Sequence, residues 1–359
     1  MLTVFNVGQG DSFLYEPNCG CDFDDPDAPL LIDTGPPVAQ VVRRINASGA
    51  TVLVTHSHED HLGGLPAILK GKKTRCLYMP WYLPEVITIY RYVQAHCSIA
   101  IGGLNWSVLT NVETKLVCEG DKLCGHIKVF NPPKNPWEAF YKCDSHEKDN
   151  EGSIQSALGN LSKAGLDLPT EEIINYETPL HKENSRSLSS AYRLNAKTFV
   201  HKFFISLSDR ISQKKQYALS YYIDAHMELA ANQTSVVFKF NHPNTGKWLF
   251  TGDADELVFE RLLSSGTDLT AKYLKIPHHG SRGNITRRIL TAISPEVAII
   301  SHGNRRFGRS LDAHPHHEVI DMLDQKGIRC YYTNEVIKDG IAIKPGTTGS
   351  VEDGDMAFF

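Results

Sequence analysis

Three imidazoles and a carboxylate fall within six residues in the segment Thr55-His56-Ser57-His58-Glu59-Asp60-His61. At positions i, i+2 and i+5 the histidines converge only where the chain turns sharply, as it does between a strand and a helix. Imidazole nitrogen and aspartate oxygen suit Zn²⁺, Mn²⁺ or Fe²⁺. Gly63-Gly64 then lets the backbone pass close to such a site and enter a helix. Two later segments also end a strand in ligand-type residues. Leu249-Phe250-Thr251-Gly252-Asp253 terminates in a carboxylate, and Lys275-Ile276-Pro277-His278-His279-Gly280-Ser281 in imidazoles. Strand-end position favours His278 as the ligand of that pair, with His279 as the alternative.

The elements that must position these groups alternate between strand and helix. Leu2–Val7 and Ser12–Tyr15 read as strands around the turn Gly8-Gln9-Gly10-Asp11. Leu30–Ile32 is a short apolar strand ending at Asp33-Thr34-Gly35, Val38–Ile45 has helical spacing, and Thr51–Val54 is a buried type of strand running into His56. Further strands are expected at Lys115–Cys118, His126–Phe130, Thr234–Phe240, Lys247–Thr251, Tyr273–Pro277, Val297–Ser301 and Cys330–Thr333, with a helix at His316–Lys326. This alternation indicates a layered α/β architecture in one domain, 1–359. The segment 137–230 differs, with few β-branched runs and helical spacing at Ile154–Ala164 and Thr198–Ile211; it reads as a mostly helical insertion or cap. The acidic, then apolar, end Gly349–Phe359 reads as a tail that packs on the domain.

A 41% hydrophobic, 22% charged chain of 359 residues is ordinary for a globular enzyme. Its net charge of −4 does not drive it onto nucleic acid or membrane, so an anionic partner must meet a local basic patch. No signal peptide or apolar span of membrane length is seen. The eight cysteines are scattered without a CxxC pair and read as thiols of a reducing cytoplasm. Cys19-x-Cys21 lies in an acidic loop without partner ligands.

The HxHxDH pattern followed by Gly-Gly resembles the signature of the metallo-β-lactamase superfamily, a four-layer αββα sandwich. In that family two neighbouring divalent metals, here zinc or manganese, share a bridging hydroxide that attacks the substrate. By position, the resemblance gives His56 and His58 to the first metal and Asp60 and His61 to the second. Asp253 would bridge both, and His278 or His279 would supply the last ligand. Asp33 would support the first histidines from behind, with Asp11 in a like supporting role. The family's intermediate histidine has no obvious counterpart. His226 is the leading candidate, His181 and His201 follow, and Asn232 or a neighbouring hydroxyl is the alternative.

Within the superfamily the chain is most similar to the C-terminal hydrolase domain of ComEC-type DNA-uptake proteins and their free-standing relatives. Val7-Gly8-Gln9-Gly10-Asp11-Ser12, Asn232-Gln233-Thr234-Ser235 before Thr251-Gly252-Asp253, His278-His279-Gly280-Ser281, Ile299-Ile300-Ser301-His302-Gly303-Asn304 and His314-Pro315-His316 carry the likeness. Two departures are His58, where that group often has aspartate, and the 137–230 segment, which has no counterpart. The resemblance implies a metal-dependent phosphodiesterase, a nuclease acting on DNA. Asp60 or Asp253 would orient the nucleophile, and His302 or His314 would protonate the leaving oxygen. Free-standing relatives of this type also suggest a role in phage defence.

Arginines flank the expected site. Arg282, Arg287 and Arg288 follow the last ligand motif, and Arg305, Arg306 and Arg309 follow Asn304, so Arg282, Asn304, Arg305 and Arg306 are read as phosphate-binding groups. Two other classes compete with a nuclease. One is hydrolysis of a small ester, lactone or cyclic phosphodiester, which a pocket walled by apolar side chains of the insertion would favour. The other is a metal-stabilised sensor or effector controlled by a protein partner on the helical insertion. Oligomeric state is not legible in the sequence.

Overall fold

The computed structural model describes residues 1–17, 29–45, 49–71, 73–95, 113–123, 126–135, 151–178, 190–213, 217–303, 313–338, 341–343 and 355–358. Its strands, among those residues, form two seven-stranded sheets and one small hairpin. The first sheet contains β1 (Leu2–Val4), β2 (Phe13–Tyr15), β3 (Leu30–Ile32), β4 (Ala50–Leu53), β5 (Thr74–Pro80), β6 (Glu113–Val117) and, from the far end of the chain, β16 (Met356–Phe358). Its order is β16-β1-β2-β3-β4-β5-β6, antiparallel as far as β3 and parallel from β3 to β6.

The second sheet repeats this plan. It contains β7 (Lys122–Leu123), β8 (Ile127–Asn131), β9 (Val237–His242), β10 (Gly246–Phe250), β11 (Tyr273–Lys275), β12 (Val297–Ile300) and β13 (Arg329–Tyr332), ordered β13-β12-β11-β10-β9-β8-β7. β7 to β10 are antiparallel neighbours, whereas β10 to β13 run parallel. β14 (Val336–Lys338) and β15 (Ile341–Ile343) make the hairpin.

The burial pattern explains the layering. Alternate residues of the strands point to opposite faces. Phe13, Tyr15 and Ile32 of the first sheet meet Phe238, Phe240, Trp248 and Phe250 of the second in one inner core. Phe13 packs edge-on against Phe250 at 5.2 Å. The outer face of the first sheet (Leu31, Val52) is covered by α1 (Glu59–Leu62), α2 (Leu65–Lys70) and α3 (Leu83–Gln94). The outer face of the second (Leu249, Leu274, Ala298) is covered by α8 (Glu256–Ser264), α9 (Arg287–Ile293) and α10 (His317–Gln325). Helices, sheet, sheet and helices stack in that order, an αββα sandwich.

Between β8 and β9 lie α4 (Glu151–Lys163), α5 (Thr170–Ile174), α6 (Ser190–Gln213) and α7 (Leu219–Gln233), which share a core with α3. Phe199 of α6 stacks on Tyr82 at 4.3 Å, fixing these helices against the start of α3. One local reading is corrected. Val38–Ile45 is not one helix but two 3-10 turns, Pro37–Ala39 and Val41–Arg43, because Gln40 between them is left-handed (φ 50°). The carboxy-terminal stretch is an edge strand in register with β1, Leu2 opposite Phe358, and Asp355 before it is held by Arg44 at 3.1 Å.

One carboxyl group is enclosed in the helical core. Glu85 is fully buried and accepts hydrogen bonds from Tyr192 (2.9 Å) and Tyr176 (3.2 Å). Burial raises its pKa from 4.5 to about 7, the hydrogen bonds opposing the rise. The folded protein therefore binds this proton more tightly than the unfolded chain, so Glu85's stabilising share is complete below pH 4.5 and is lost as pH rises through about 7. Glu85→Gln should gain on the wild type across that window, by about 3 kcal/mol at most. Urea unfolding of both proteins from pH 4.5 to 8 measures the difference; parallel curves would show that Glu85 does not titrate there.

Candidate metal centre

The ligand-type residues sit at the carboxyl ends of strands from both sheets. β4 leads into Thr55-His56, α1 carries Asp60 and His61, β10 leads into Asp253, and β11 leads into His278-His279. Gly10 brings the first hairpin turn onto this edge. A Cβ there would stand 2.2 Å from the carbonyl oxygen of Asp60, and the backbone N–H of the next residue, Asp11, donates to that same oxygen at 3.1 Å.

Asp253 is the centre of the arrangement and is buried. Its Oδ1 lies 3.3 Å from His61 Nε2; its Oδ2 lies 3.6 Å from His56 Nε2, 3.7 Å from His279 Nε2 and 3.8 Å from His278 Nε2. Asp60 Oδ2 is 3.2 Å from His279 Nε2, and His56 Nε2 is 3.1 Å from His58 Nδ1. The backbone N–H of Asp253 donates to Ser235 Oγ at 3.2 Å, so a hydroxyl from the Asn232–Ser235 stretch steadies this residue.

Groups behind the imidazoles set which nitrogen is bare. His61 Nδ1 faces Asp33 Oδ2 at 2.8 Å, and His279 Nδ1 faces the Ser301 carbonyl at 2.9 Å. A carboxylate and a carbonyl only accept, so each Nδ1 carries the proton and each Nε2 presents a lone pair inward. The His61 lone pair then points at a carboxylate oxygen, an arrangement stable only with a cation or proton between. His61 Nε2, Asp253 Oδ1 and Asp11 Oδ1 are indeed buried without a hydrogen-bond partner. The sets Asp11, His61, His279 and His56, His61, Asp253 each bring three ligand atoms within 4.8 Å of one another. Nitrogen and oxygen donors at this spacing fit divalent metal ions.

Electrostatics agree with that need for positive charge. Burial pushes the His61 imidazole down, but Asp253, Asp33, Asp11 and Asp60 together raise its pKa well above the ordinary value. Burial would raise the pKa of Asp253, yet the imidazoles of His61, His279, His278 and His56 hold it well below the usual carboxylate range. Lys275, wholly buried, contacts Asp11, stands 3.6 Å from Asp253 Oδ1 and donates to the Gly252 carbonyl at 2.9 Å. This lysine was not singled out in the sequence, although a cation inside an apolar strand is a signal in itself.

The sequence expectations sort clearly. His56, His58, Asp60, His61, Asp253, His278 and His279 come together, and Asp11 and Asp33 lie directly behind them. Asp33 meets His61 and Thr55 (N and Oγ1, both 2.7 Å), rather than the first two histidines. His226 is not brought to the site. It packs in the helical core with its ring 4.8 Å from Phe203, and burial lowers its pKa to about 4. His201 is held in the same core, its Nε2 donating to the Ile173 carbonyl at 3.0 Å. His302 is fully buried with its ring 6.0 Å from Tyr332 and does not line the cavity described next. Arg282 is exposed and paired with Glu318 at 2.5 Å. Asn304, Arg305, Arg306, Arg309, His181, Cys19 and Cys21 lie outside the described residues.

In front of the cluster opens a cavity of about 610 Å³. One wall holds His58, Asp60, Asp253, His278, His279 and His314; the other is Tyr90 and Val93 of α3 with Ile223, Asp224, Met227 and Glu228 of α7. Burial and the neighbouring His278 and His316 hold the His314 pKa down at about 3, so it is a neutral hydrogen-bonding group.

Comparison with known proteins follows the same lines. Residues 6–80 match the model of the metallo-beta-lactamase superfamily. The chain is 32% identical over 89 residues to ComE operon protein 3 of Bacillus subtilis (strain 168), covering 24% of this chain and 11% of that protein. It is 33% identical over 111 residues to hydroxyacylglutathione hydrolase of Idiomarina loihiensis, covering 30% of this chain and 40% of that protein. Both matches thus span less than half of the relative's length. A long form RNase Z from yeast superposes with a TM-score of 0.36 at 10% identity, over 90% of this chain and 44% of that one. The family-model match places residues 6–80 in the metallo-β-lactamase superfamily, and the match to ComE operon protein 3 gives the chain a ComE-type relative. No helix among the described residues is long and apolar enough to cross a membrane.

Because Asp33 fixes the His61 tautomer, Asp33→Asn should leave the fold intact but weaken metal binding by about 10–100-fold. Competition with a coloured chelator measures this; unchanged affinity would show that Asp33 serves only the Thr55 turn.

Proposed function

We propose that the protein is a phosphodiesterase that hydrolyses nucleic acid, DNA in the first instance, at two divalent metal ions, zinc or manganese. The observation that carries this reading is the carboxylate of Asp253, whose two oxygens face different imidazoles, as a bridge between two ions requires. When bound, such ions activate water and neutralise charge developing on phosphorus and the leaving oxygen. The chain's own residues hold and aim. Asp60 and Asp253 orient the nucleophile's side of the cavity, His61 and His279 are fixed by Asp33 and Ser301, and His314 stands on the wall to hydrogen-bond a leaving group. The likeness to ComE operon protein 3 supports a nucleic-acid substrate.

The shape narrows the substrate. A cavity of about 610 Å³ between the strand ends and helices α3 and α7 is of a size for a single nucleotide-like group, which favours a strand end or a looped single strand as substrate. Asp224 and Glu228 on the far wall repel further phosphates, so the bound strand must leave along the strand-end side. The apolar part of that wall (Tyr90, Val93, Ile223, Met227) favours a second reading, hydrolysis of a small ester, thioester or cyclic phosphodiester. The helical segment also exposes Leu194, Tyr217 and Tyr221, where a controlling protein partner would sit.

Linear single-stranded DNA should be cut by protein loaded with Mn²⁺ or Zn²⁺, with covalently closed duplex spared. Asp60→Ala with His61→Ala should reduce cleavage to background. Gel assays of linear, circular and single-stranded DNA and of RNA, beside carboxyl esters and thioesters, decide the matter. Turnover of the small esters alone would replace the nuclease reading with the second.

A further inference from the structure

Among the described residues no histidine fills the superfamily's intermediate position in the metal cluster, since His226 packs in the helical core. The paired histidines after β11 offer a replacement. His278 and His279 are consecutive non-glycine residues in the left-handed region (φ 48° and 53°). Such conformations are costly for L-residues and persist where the surroundings enforce them. In an extended chain neighbouring side chains point to opposite faces; this turn instead turns both imidazoles towards Asp253, with ring planes 71° apart.

The tautomer of His278 follows from Asn284. The Asn284 Nδ2 group donates both hydrogens, to the carbonyls of Asp253 and Ala254, each at 3.1 Å. Its Oδ1 is therefore an acceptor, and it faces His278 Nδ1 at 3.2 Å. His278 Nδ1 carries the proton, so Nε2 is the bare nitrogen, 3.8 Å from Asp253 Oδ2. His279 is fixed the same way by Ser301; its Nε2 is 3.7 Å from the same Asp253 Oδ2 but nearer to Asp60 Oδ2, at 3.2 Å. Nitrogen and oxygen ligands of a tetrahedral ion stand about 3.3 Å apart. His56 Nε2 to His58 Nδ1 (3.1 Å), His56 Nε2 to Asp253 Oδ2 (3.6 Å) and His278 Nε2 to Asp253 Oδ2 (3.8 Å) are close to that spacing.

We infer that the His278-His279 pair is divided between the two metals: His278 Nε2 completes the His56, His58, Asp253 site in place of the missing histidine, and His279 Nε2 completes the Asp60, His61, Asp253 site. Asn284 is a positioning residue that holds His278 in its ligand tautomer. This inference rests on the metal-dependent reading above but not on its substrate, so a failure of DNA cleavage leaves it standing.

Co²⁺ is the probe, with bound metal counted by elemental analysis after gel filtration and coordination followed by the visible d–d bands. The wild type should hold two Co²⁺ per chain; His278→Ala and His279→Ala should each hold one, with different residual spectra. Asn284→Ala should keep both ions but bind one about 10–100-fold more weakly, which also covers the case of a His278→Ala chain that does not fold. Two tightly held Co²⁺ in His278→Ala, or unaltered affinity and spectrum in both His278→Ala and Asn284→Ala, would overturn the inference and leave His278 as a rim residue. Identical residual spectra in the two histidine variants would overturn the division between the sites.

Discussion

A carboxylate buried between two β-sheets, Asp253, is the constraint on which the rest of this molecule depends. Removing a charge from water costs several kcal/mol unless opposite charge and hydrogen bonds surround it. Asp253 ends a strand of one sheet, and His56 follows a strand of the other, so only the face-to-face packing of Phe13, Phe238 and Phe250 brings them within 3.6 Å. The hydrophobic core and the polar cluster are thus one design. The core fixes the distance between the sheet edges, and the cluster uses that distance.

Compensation of that charge is distributed. Lys275 supplies one permanent positive charge from within β11, but Asp11, Asp33 and Asp253 are all buried around it. One ammonium against three carboxylates leaves the interior negative, and the raised pKa of His61 is the response of the nearest imidazole. A divalent ion answers the same demand without taking a proton. The groups behind the imidazoles, Asp33, Ser301 and Asn284, hold bare nitrogens towards Asp253, an orientation that favours a metal over a hydrogen bond. Backbone strain is gathered at the same place, with Asp33, His278 and His279 all left-handed, at a cost of order 1–3 kcal/mol each.

The sequence made much of this legible because the ligands lie at strand ends, where a few contiguous residues determine both the turn and the chemistry. His56 to His61, Asp253 and the histidine pair were readable for that reason, as was the alternation of strands and helices. What distance in sequence conceals was not. His226 has the right residue type and the right order in the chain, yet the helical spacing that buries it against Phe203 also turns it from the site. His302 follows a strand end as the true cluster residues do, but packs on Tyr332. Asn284 carries no local signal, since its role exists only through the left-handed turn before it. Arg282 looked like a phosphate contact from its neighbourhood, whereas its guanidinium is occupied by Glu318 from α10.

The cavity's two walls pull in opposite senses, and this sets how a substrate can lie. The wall of strand ends becomes cationic when metals are present and attracts an anionic group. The wall from α3 and α7 is apolar with two carboxylates, Asp224 and Glu228, and repels one. With metal held there, a ligand that satisfies both would place its negative group on the side of Asp60 and Asp253 and an uncharged, donor-bearing body against Tyr90, Ile223 and Met227. A nucleotide at a strand end has that polarity, with phosphate on one side and a flat base with amino donors on the other. Because α7 belongs to the helical segment between β8 and β9, that segment supplies part of one cavity wall, while the strand ends of the two sheets supply the other. The helices share their core with α3 and are thereby anchored through a helix of the first sheet that also lines the cavity.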